Sequence, residues 1–280
     1  MKNIIKLITP LFALLMLASC DNDKEWTYVT EIQPGAYVSG SATSYSAIAP
    51  AAAFKAGDVD PDTDERTGVQ TMYTWLKADG ELFITVSEGD GNTVTYGRGS
   101  DVSDITSTLV ADGAAYKVAE DGLYFLIYNS KLKQLSIIPA KFGVIGSATP
   151  GGWDGETVMT DVSYNEATSI VTMKGDFAFA KGEMKFRFND WGIEVPYDES
   201  SKIKYHTNMG GLVAGNLTEG GVTLKGGGEN LTIESGAQYS VTLELNLRTA
   251  TFTAKGKAGE IIAPEYPEEL YMIGAEFGNW

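Results

Sequence analysis

The sequence has 280 residues, 43% of them hydrophobic, and a formal net charge of −16 at pH 7. A surface of this sign repels nucleic acids, anionic membranes and polyanionic glycans, which argues against all three as partners. The chain has 32 glycines and many short, alternating runs of aromatic and β-branched residues, and no long stretch after residue 20 has helical periodicity. We therefore expect an all-β body.

The N-terminus has the layout of a secretory signal peptide. Two lysines precede an apolar run at residues 7–17, and small residues follow it. The run is too short for a permanent transmembrane helix. Cys20 is the only cysteine, so no intramolecular disulfide can form. Residues 1–20 are therefore predicted to be removed or processed on export.

The segment around Cys20 resembles a bacterial lipobox. Leu17-Ala18-Ser19 precede it, and in lipoproteins the thiol at that position is lipidated and becomes the first residue of the mature protein. The acidic residues 21–25 resemble the signal that directs lipoproteins of the Bacteroides group to the outer face of the outer membrane. An ordinary secretory signal with a chance cysteine is the alternative.

A motif recurs along the chain. Residues 142–153 read FGVIGSATPGGW, residues 270–280 read LYMIGAEFGNW, and residues 37–43 read YVSGSAT without a tryptophan. Each copy indicates a buried strand, a sharp turn at glycine and, where complete, an aromatic in a glycine-rich loop. A period of roughly a hundred residues is too long for a solenoid and indicates tandem domains.

The repeats divide the chain into segments. The predicted order is a signal peptide (1–20), a polar tether (21–34), module one (35–140), module two (141–257), a proline-containing linker (258–269) and the first strand of a third module (270–280). An isolated strand cannot bury a core, so we expect the sequence to be a fragment of a longer protein.

Internal alignment predicts the fold of the modules. Residues 77–86 match residues 179–188, and residues 119–128 match residues 234–243. In the last of these, Tyr239, Val241 and Leu243 alternate with polar residues. Burial of one face at about a hundred residues per unit indicates an antiparallel β-sandwich of roughly seven or eight strands.

Module two carries the candidate binding residues. In its strand at residues 184–189, the alternation predicts that Lys185, Arg187 and Asn189 point outward together, with Trp191 in the turn that follows. Trp153 is expected near the same end of the sandwich. Tryptophan rings stack on the apolar face of a pyranose, and polar side chains bond its hydroxyls, so this set suits a neutral sugar.

These motifs resemble starch-binding β-sandwich modules. With the lipobox, acidic tether and tandem modules, the chain resembles the SusE/SusF-like outer-membrane starch-binding lipoproteins of the Bacteroides group. The resemblance implies immunoglobulin-like carbohydrate-binding modules without catalytic activity that bind starch or maltooligosaccharide beside a glycan-import complex. It implies that Trp153 and Trp191 are the aromatic platforms, with Lys185, Arg187 and Asn189 as polar contacts, and that module one is a spacer.

Other interpretations stay open for these residues. Trp153 and Trp191 can pack over the sandwich, and Lys185 and Arg187 can be a solvated outer face. Module one has Ala47 near the place of Trp153 and Gly89 at that of Trp191. Its Trp75 aligns with Phe177 and is expected in the core, while His206, the only histidine, is expected at the surface.

Four alternating aspartates, from Asp58 to Asp64, resemble part of a calcium-binding loop. Thr63 replaces the glycine and Val69 the bidentate glutamate that such a loop needs. We therefore expect an acidic loop and no metal or cofactor site.

The sequence contains no nucleophile motif and no histidine placed to act as a base, so it gives no indication of an enzyme. The alternatives to a glycan-binding protein are an N-terminal accessory region of a surface glycoside hydrolase and an adhesin-like stalk. A catalytic domain encoded beyond residue 280 would identify the accessory region of a glycoside hydrolase.

Overall fold

A computed structural model describes residues 32–56 and 67–259, except for the side chains of Asp190, Trp191, His206 and Thr207. The predicted signal peptide with Cys20, most of the tether, the Asp58–Asp64 segment, the linker from residue 260 and the strand at 270–280 lie outside the described residues.

The described chain is built from strands. It contains 19 strands and one short 3₁₀ turn, Pro50–Ala52, with no α-helix in residues 32–56 and 67–259. Within the same ranges, no helix has the length and apolarity needed to cross a membrane. The prediction of tandem antiparallel β-sandwich modules is confirmed.

Module one is a single curled sheet of eight antiparallel strands. The strands are β1 (Gly35–Ser39), β2 (Lys55–Ala56), β3 (Val69–Leu76), β4 (Phe83–Ser87), β5 (Thr93–Asp101), β6 (Thr106–Ala111), β7 (Gly122–Asn129) and β8 (Gln134–Pro139). Their order is β1-β4-β5-β6-β8-β7-β3-β2. The backbone N–H of Phe54 donates to the carbonyl of Ala36, 2.9 Å away, and so ties the approach to β2 back onto β1.

Module two is a second curled sheet, of eleven strands. They are β9 (Phe142–Ile145), β10 (Thr157–Val158), β11 (Asp161–Asn165), β12 (Ile170–Phe179), β13 (Gly182–Pro196), β14 (Lys202–Gly211), β15 (Gly215–Asn216), β16 (Val222–Gly226), β17 (Leu231–Ile233), β18 (Ala237–Asn246) and β19 (Thr251–Ala258). Their order is β10-β9-β13-β14-β16-β19-β18-β12-β11, with the short β15 and β17 beside the start of β13.

The two sheets share one strand order. Without β10, β15 and β17, the second sheet reads β9-β13-β14-β16-β19-β18-β12-β11, and each strand occupies the place of its counterpart in the first sheet. The registers match as well, because Ser39 pairs with Phe83 in module one and Ile145 pairs with Lys185 in module two. The modules are therefore two versions of the same structural unit.

Strand β7 is buried on both of its faces. Tyr124 and Leu126 point into the interior of module one, while Leu123, Phe125 and Ile127 belong to the core cluster of module two. A strand covered on both faces reads as a continuous apolar run rather than an alternation. Module one therefore contributes side chains to the core of its neighbour.

Aromatic rings fill the junction between the modules. The ring of Tyr73, on β3, lies 4.7 Å from that of Phe125 and 5.5 Å from those of Phe188 and Phe252 in module two. All three pairs are tilted or edge-on, which are favourable geometries for aromatic side chains. The junction therefore has the packing of a protein core.

Trp75, predicted as a core residue, lies at the margin of this junction. It is half-buried, and its ring stacks on that of Tyr164 from module two, with centroids 5.3 Å apart and planes 14° apart. At the opposite end of the β3–β7 strand pair, the amide of Asn129 donates to the carbonyls of Pro196 and Tyr197, both 3.0 Å away. These polar contacts hold the two sheets in one orientation.

Candidate functional site

The candidate site of module two is built on a turn with the sequence Gly-Ser-Ala-Thr, residues 146–149, which we call the GSAT turn. The Thr149 hydroxyl donates to the carbonyl of Gly146, 2.9 Å away. The N–H of Ala148 donates to the Glu183 carbonyl at 3.0 Å, and the N–H of Glu183 donates to the Ser147 hydroxyl at 3.0 Å. The turn is therefore bonded to itself and to the start of β13.

Module one contains the same turn at residues 40–43 with the same hydrogen bonds. The Thr43 hydroxyl donates to the Gly40 carbonyl at 3.0 Å. The N–H of Ala42 donates to the Glu81 carbonyl at 3.0 Å, and the N–H of Glu81 donates to the Ser41 hydroxyl at 3.0 Å. Each of the four identical residues therefore has a structural role. The serine and threonine hydroxyls form the hydrogen bonds, and the glycine and the small alanine fit the tight turn.

The loop that follows the second GSAT turn presents Trp153. The N–H of Gly146 donates to the carbonyl of Gly152 at 2.8 Å, and the N–H of Gly152 donates to the carbonyl of Thr149 at 3.1 Å. These bonds close the backbone immediately before Trp153, whose side chain is 38% exposed. The structure therefore places this predicted platform at the surface on a well-bonded loop.

Arg187, predicted to point outward as a polar contact or as part of a solvated face, is buried. Its side chain is only 3% exposed. Its Nε donates to Oδ1 of Asn208, 2.9 Å away, and its Nη2 donates to the carbonyl of Trp153, 3.3 Å away. Alternation places Arg187 opposite Phe186 and Phe188, as predicted, but the Trp153 loop covers it. Arg187 therefore holds the loop from below.

The side chain of Asn189 forms hydrogen bonds within the connection between the modules. Its Oδ1 accepts a hydrogen bond from the N–H of Lys141 at 2.6 Å, and its Nδ2 donates to the carbonyl of Pro139 at 3.1 Å. Its φ of 50° lies in the left-handed region, which asparagine tolerates better than most residues. In this structure Asn189 stabilises the passage from β8 to β9.

Trp191 does not lie in a turn between strands, which corrects the local structure predicted there. Its backbone belongs to β13, at an irregularity in the pairing with β14 between Phe188 and Ile193. Gly192, with φ of 100°, contributes to this bulge. The side chain of Trp191 lies outside the described part of the molecule, as does that of His206. Lys185 is half-buried on the same strand, opposite Ile145.

The counterpart of the Trp153 loop in module one is different. There the first N–H of the GSAT turn donates to the carbonyl of Tyr45, at 2.9 Å, where module two uses Gly152. Ser46, not Ala47, therefore takes the place of Trp153. The hydroxyl of the preceding Ser44 bonds that of Tyr164 in module two, 3.0 Å away. The loop of module one thus contacts module two at the junction.

The buried arginine also has no counterpart in module one. Thr85 pairs with Tyr37 in the register position that Arg187 has opposite Gly143. The hydroxyl of Thr85 lies 3.2 Å from that of Thr95, at the place of Asn208. The Arg187–Asn208 pair was missed from the sequence because its partners are 21 residues apart on different strands. The sequence signal that could have located the Trp153 loop was the exact repetition of Gly-Ser-Ala-Thr in the two modules.

Within residues 32–56 and 67–259, no group of three or more His, Cys, Asp or Glu side chains is arranged to hold a metal ion. No protein-family model matches the chain, and no curated protein matches its sequence. The site must therefore be interpreted from its own geometry.

Proposed function

We propose that this protein binds a neutral polysaccharide without catalysing its breakdown, and that Trp153 is the principal aromatic platform. The observation that carries the proposal is the exposure of Trp153 on a loop bonded from within and held by Arg187. A large aromatic side chain fixed at the surface can stack on the C–H face of a pyranose. Because the loop is already ordered, little conformational entropy is lost on binding.

The contrast between the modules supports a ligand rather than another module as the partner of Trp153. The outward residues of β3 and β7 in module one include Tyr73 and Phe125, and module two covers them. At the matching places module two has Asp176 and Ser240, both exposed and joined by a hydrogen bond of 2.6 Å. An apolar junction like the first cannot form on this polar face.

The sugar we favour is an α-glucan such as starch or maltooligosaccharide, and the place is the outer membrane, with the lipid on Cys20 as anchor. These assignments rest on the resemblance of the motifs. A single stacked sugar gives weak binding, because its hydroxyls must leave water. Several modules on one tether would raise the avidity for a long polymer, as a surface protein of a glycan-import system requires.

Native affinity electrophoresis of the mature chain without the lipidation site Cys20, residues 21–280, tests the proposal with gels that contain amylopectin, dextran, xylan or inulin. We expect retardation by amylopectin and its loss in Trp153→Ala, because removing a central aromatic anchor costs about 2 kcal/mol or more. Val213→Ala is the matched control, since Val213 is 73% exposed elsewhere on module two.

The other outcomes separate the alternatives. Retardation by a different polymer would keep the binding class and replace starch. Unretarded migration in every gel would favour the adhesin-like stalk. Release of reducing sugars from any of the polymers would favour a glycoside hydrolase.

A further inference from the structure

A cleft of about 310 Å³ lies between the two modules, and none of its lining residues belongs to the Trp153 loop. Module one lines it with β2, β3 and the turn before β2, and module two lines it with β14, β16 and the β18–β19 hairpin. Junctions between modules are frequent places for small-molecule sites. We infer that this cleft is a second binding site and that its ligand is a small organic carboxylate.

The charge of the cleft is opposite to that of the whole protein. Lys55 enters it from module one, and Lys225 and Arg248 enter it from module two. No aspartate or glutamate is among its described lining residues, although the chain has a net charge of −16. Three positive side chains that converge from two modules favour an anion at their centre.

The positive groups are available to a ligand. Lys55 and Lys225 are exposed, and no carboxylate of residues 32–56 and 67–259 forms an ion pair with either. The guanidinium of Arg248 is oriented by a hydrogen bond from its Nε to the hydroxyl of Ser169, 3.0 Å away. A guanidinium held in this way keeps further N–H groups for a carboxylate.

The walls of the cleft select the rest of the ligand. Tyr73, Met209, Leu224 and Phe252 supply rings and aliphatic groups beside the positive side chains. A molecule with an apolar face and one negative group therefore matches both parts. The volume is at the lower end of the range for small-molecule sites, which suits a body of about one or two sugar units. An acidic sugar and a short aliphatic acid both meet this description.

Isothermal titration calorimetry of the mature chain tests the inference, with sodium D-glucuronate, sodium hexanoate and D-glucose as probes. We expect saturable binding of at least one of the two carboxylates and much weaker binding of glucose. Binding of glucuronate alone would identify an acidic sugar site, and binding of hexanoate alone would identify a site for aliphatic acids.

Two variants and a matched control locate the binding. Lys225→Gln should weaken the carboxylate by about threefold, and Lys55→Gln with Lys225→Gln by about tenfold, as expected for exposed charge pairs. Lys257→Gln removes the same charge from an exposed position outside the cleft and should change nothing. Because the cleft shares no residue with the Trp153 loop, Trp153→Ala should leave this binding intact even where polysaccharide binding is lost.

The inference is overturned if glucose binds as tightly as the carboxylates or if neither carboxylate binds saturably. It is also overturned if the double variant binds like the unmodified protein. None of these results affects the polysaccharide proposal, which the gels test separately.

Discussion

Arg187 donates a hydrogen bond from Nη2 to the main-chain carbonyl of Trp153, 3.3 Å away, although the two residues lie 34 positions apart in the chain. One residue is almost fully buried and the other is exposed. The pair therefore connects the interior of module two with the surface that we propose for polysaccharide binding.

Replacement of Arg187 by glutamine should weaken polysaccharide binding while Trp153 itself is retained. The shorter side chain cannot make both bonds, and we expect a loss of about 1–3 kcal/mol in the free energy of unfolding. Affinity electrophoresis and urea unfolding measure the two effects. Lys174→Gln, which removes one positive charge from an exposed position on β12, is the control and should behave like the unmodified protein. Unchanged retardation of folded Arg187→Gln would show that the bond does not position Trp153.

Replacement of Gly146 by alanine should destabilise module two strongly. Its φ is 134°, and an added Cβ would overlap the carbonyl oxygen of Glu183. We expect a loss of about 3 kcal/mol or more in the free energy of unfolding, measured with urea. Gly152→Ala is the control, because its φ is 63° and no atom lies within 4 Å of the added Cβ. This control should cost only about 1 kcal/mol.

The matching position in module one should respond in the same way. Gly40 has φ of 113°, and a Cβ there would overlap the carbonyl oxygen of Glu81. If Gly40→Ala left stability unchanged while Gly146→Ala reduced it, the two GSAT turns would not be equivalent.

Replacement of Phe125 by alanine should lower the stability of both modules together. Phe125 belongs to module one by sequence, but its ring lies 5.1 Å from that of Phe188 in module two. We expect a loss of about 3–5 kcal/mol and a single unfolding transition by calorimetry, since the cores are continuous. Ser240→Ala, at the matching exposed place of module two, should have little effect. Two separate transitions, with only the first shifted, would contradict the continuous core.

We expect the stability of the turn at Asp198 to depend on pH. Its Oδ1 accepts hydrogen bonds from the N–H groups of Ser200 and Ser201, both at 2.8 Å, in the turn between β13 and β14. These bonds, led by that from Ser200, lower the pKa of Asp198 from 3.8 to about 2. A lowered pKa in the folded state means that the stabilisation is present above the ordinary pKa and is lost as the pH falls toward 2.

Carbon-detected NMR titration of the side-chain carboxyl measures this pKa directly. Asp198→Asn should remove the titration and leave the rest of the spectrum unchanged, because the amide Oδ1 can still accept the hydrogen bonds from Ser200 and Ser201. A measured pKa close to 3.8 would show that the turn is not formed in solution.

Local patterns in the sequence predicted a large part of the fold. Tyr239, Val241 and Leu243 were expected to face the core, and all three are buried. On β13, Met184, Phe186 and Phe188 alternate with the three residues that were predicted to point outward, and they are buried as well. These predictions succeeded because alternation along a strand is a property of the backbone, which each short segment displays by itself.

The segments that contact the outer face of β13 could not be predicted from the sequence in the same way. Arg187 was expected to point outward, as a polar contact or as part of a solvated face, and Trp191 was expected to lie in a turn. Instead the arginine is buried beneath the Trp153 loop, and the backbone of Trp191 lies at a bulge. Alternation tells which side of a sheet a residue faces, not what lies on that side. A covering loop or a shift in strand register depends on segments far away in the chain.

By itself, the sequence determined the all-β class, the strand faces and the repetition of the structural unit, because turn residues and alternation act over a few neighbouring positions. The tertiary structure alone decided that Phe125 completes the core of module two, that Arg187 holds the Trp153 loop and that three positive side chains meet in one cleft. Each of these depends on how two sheets are packed, and packing joins residues whose separation in the sequence carries no local signal.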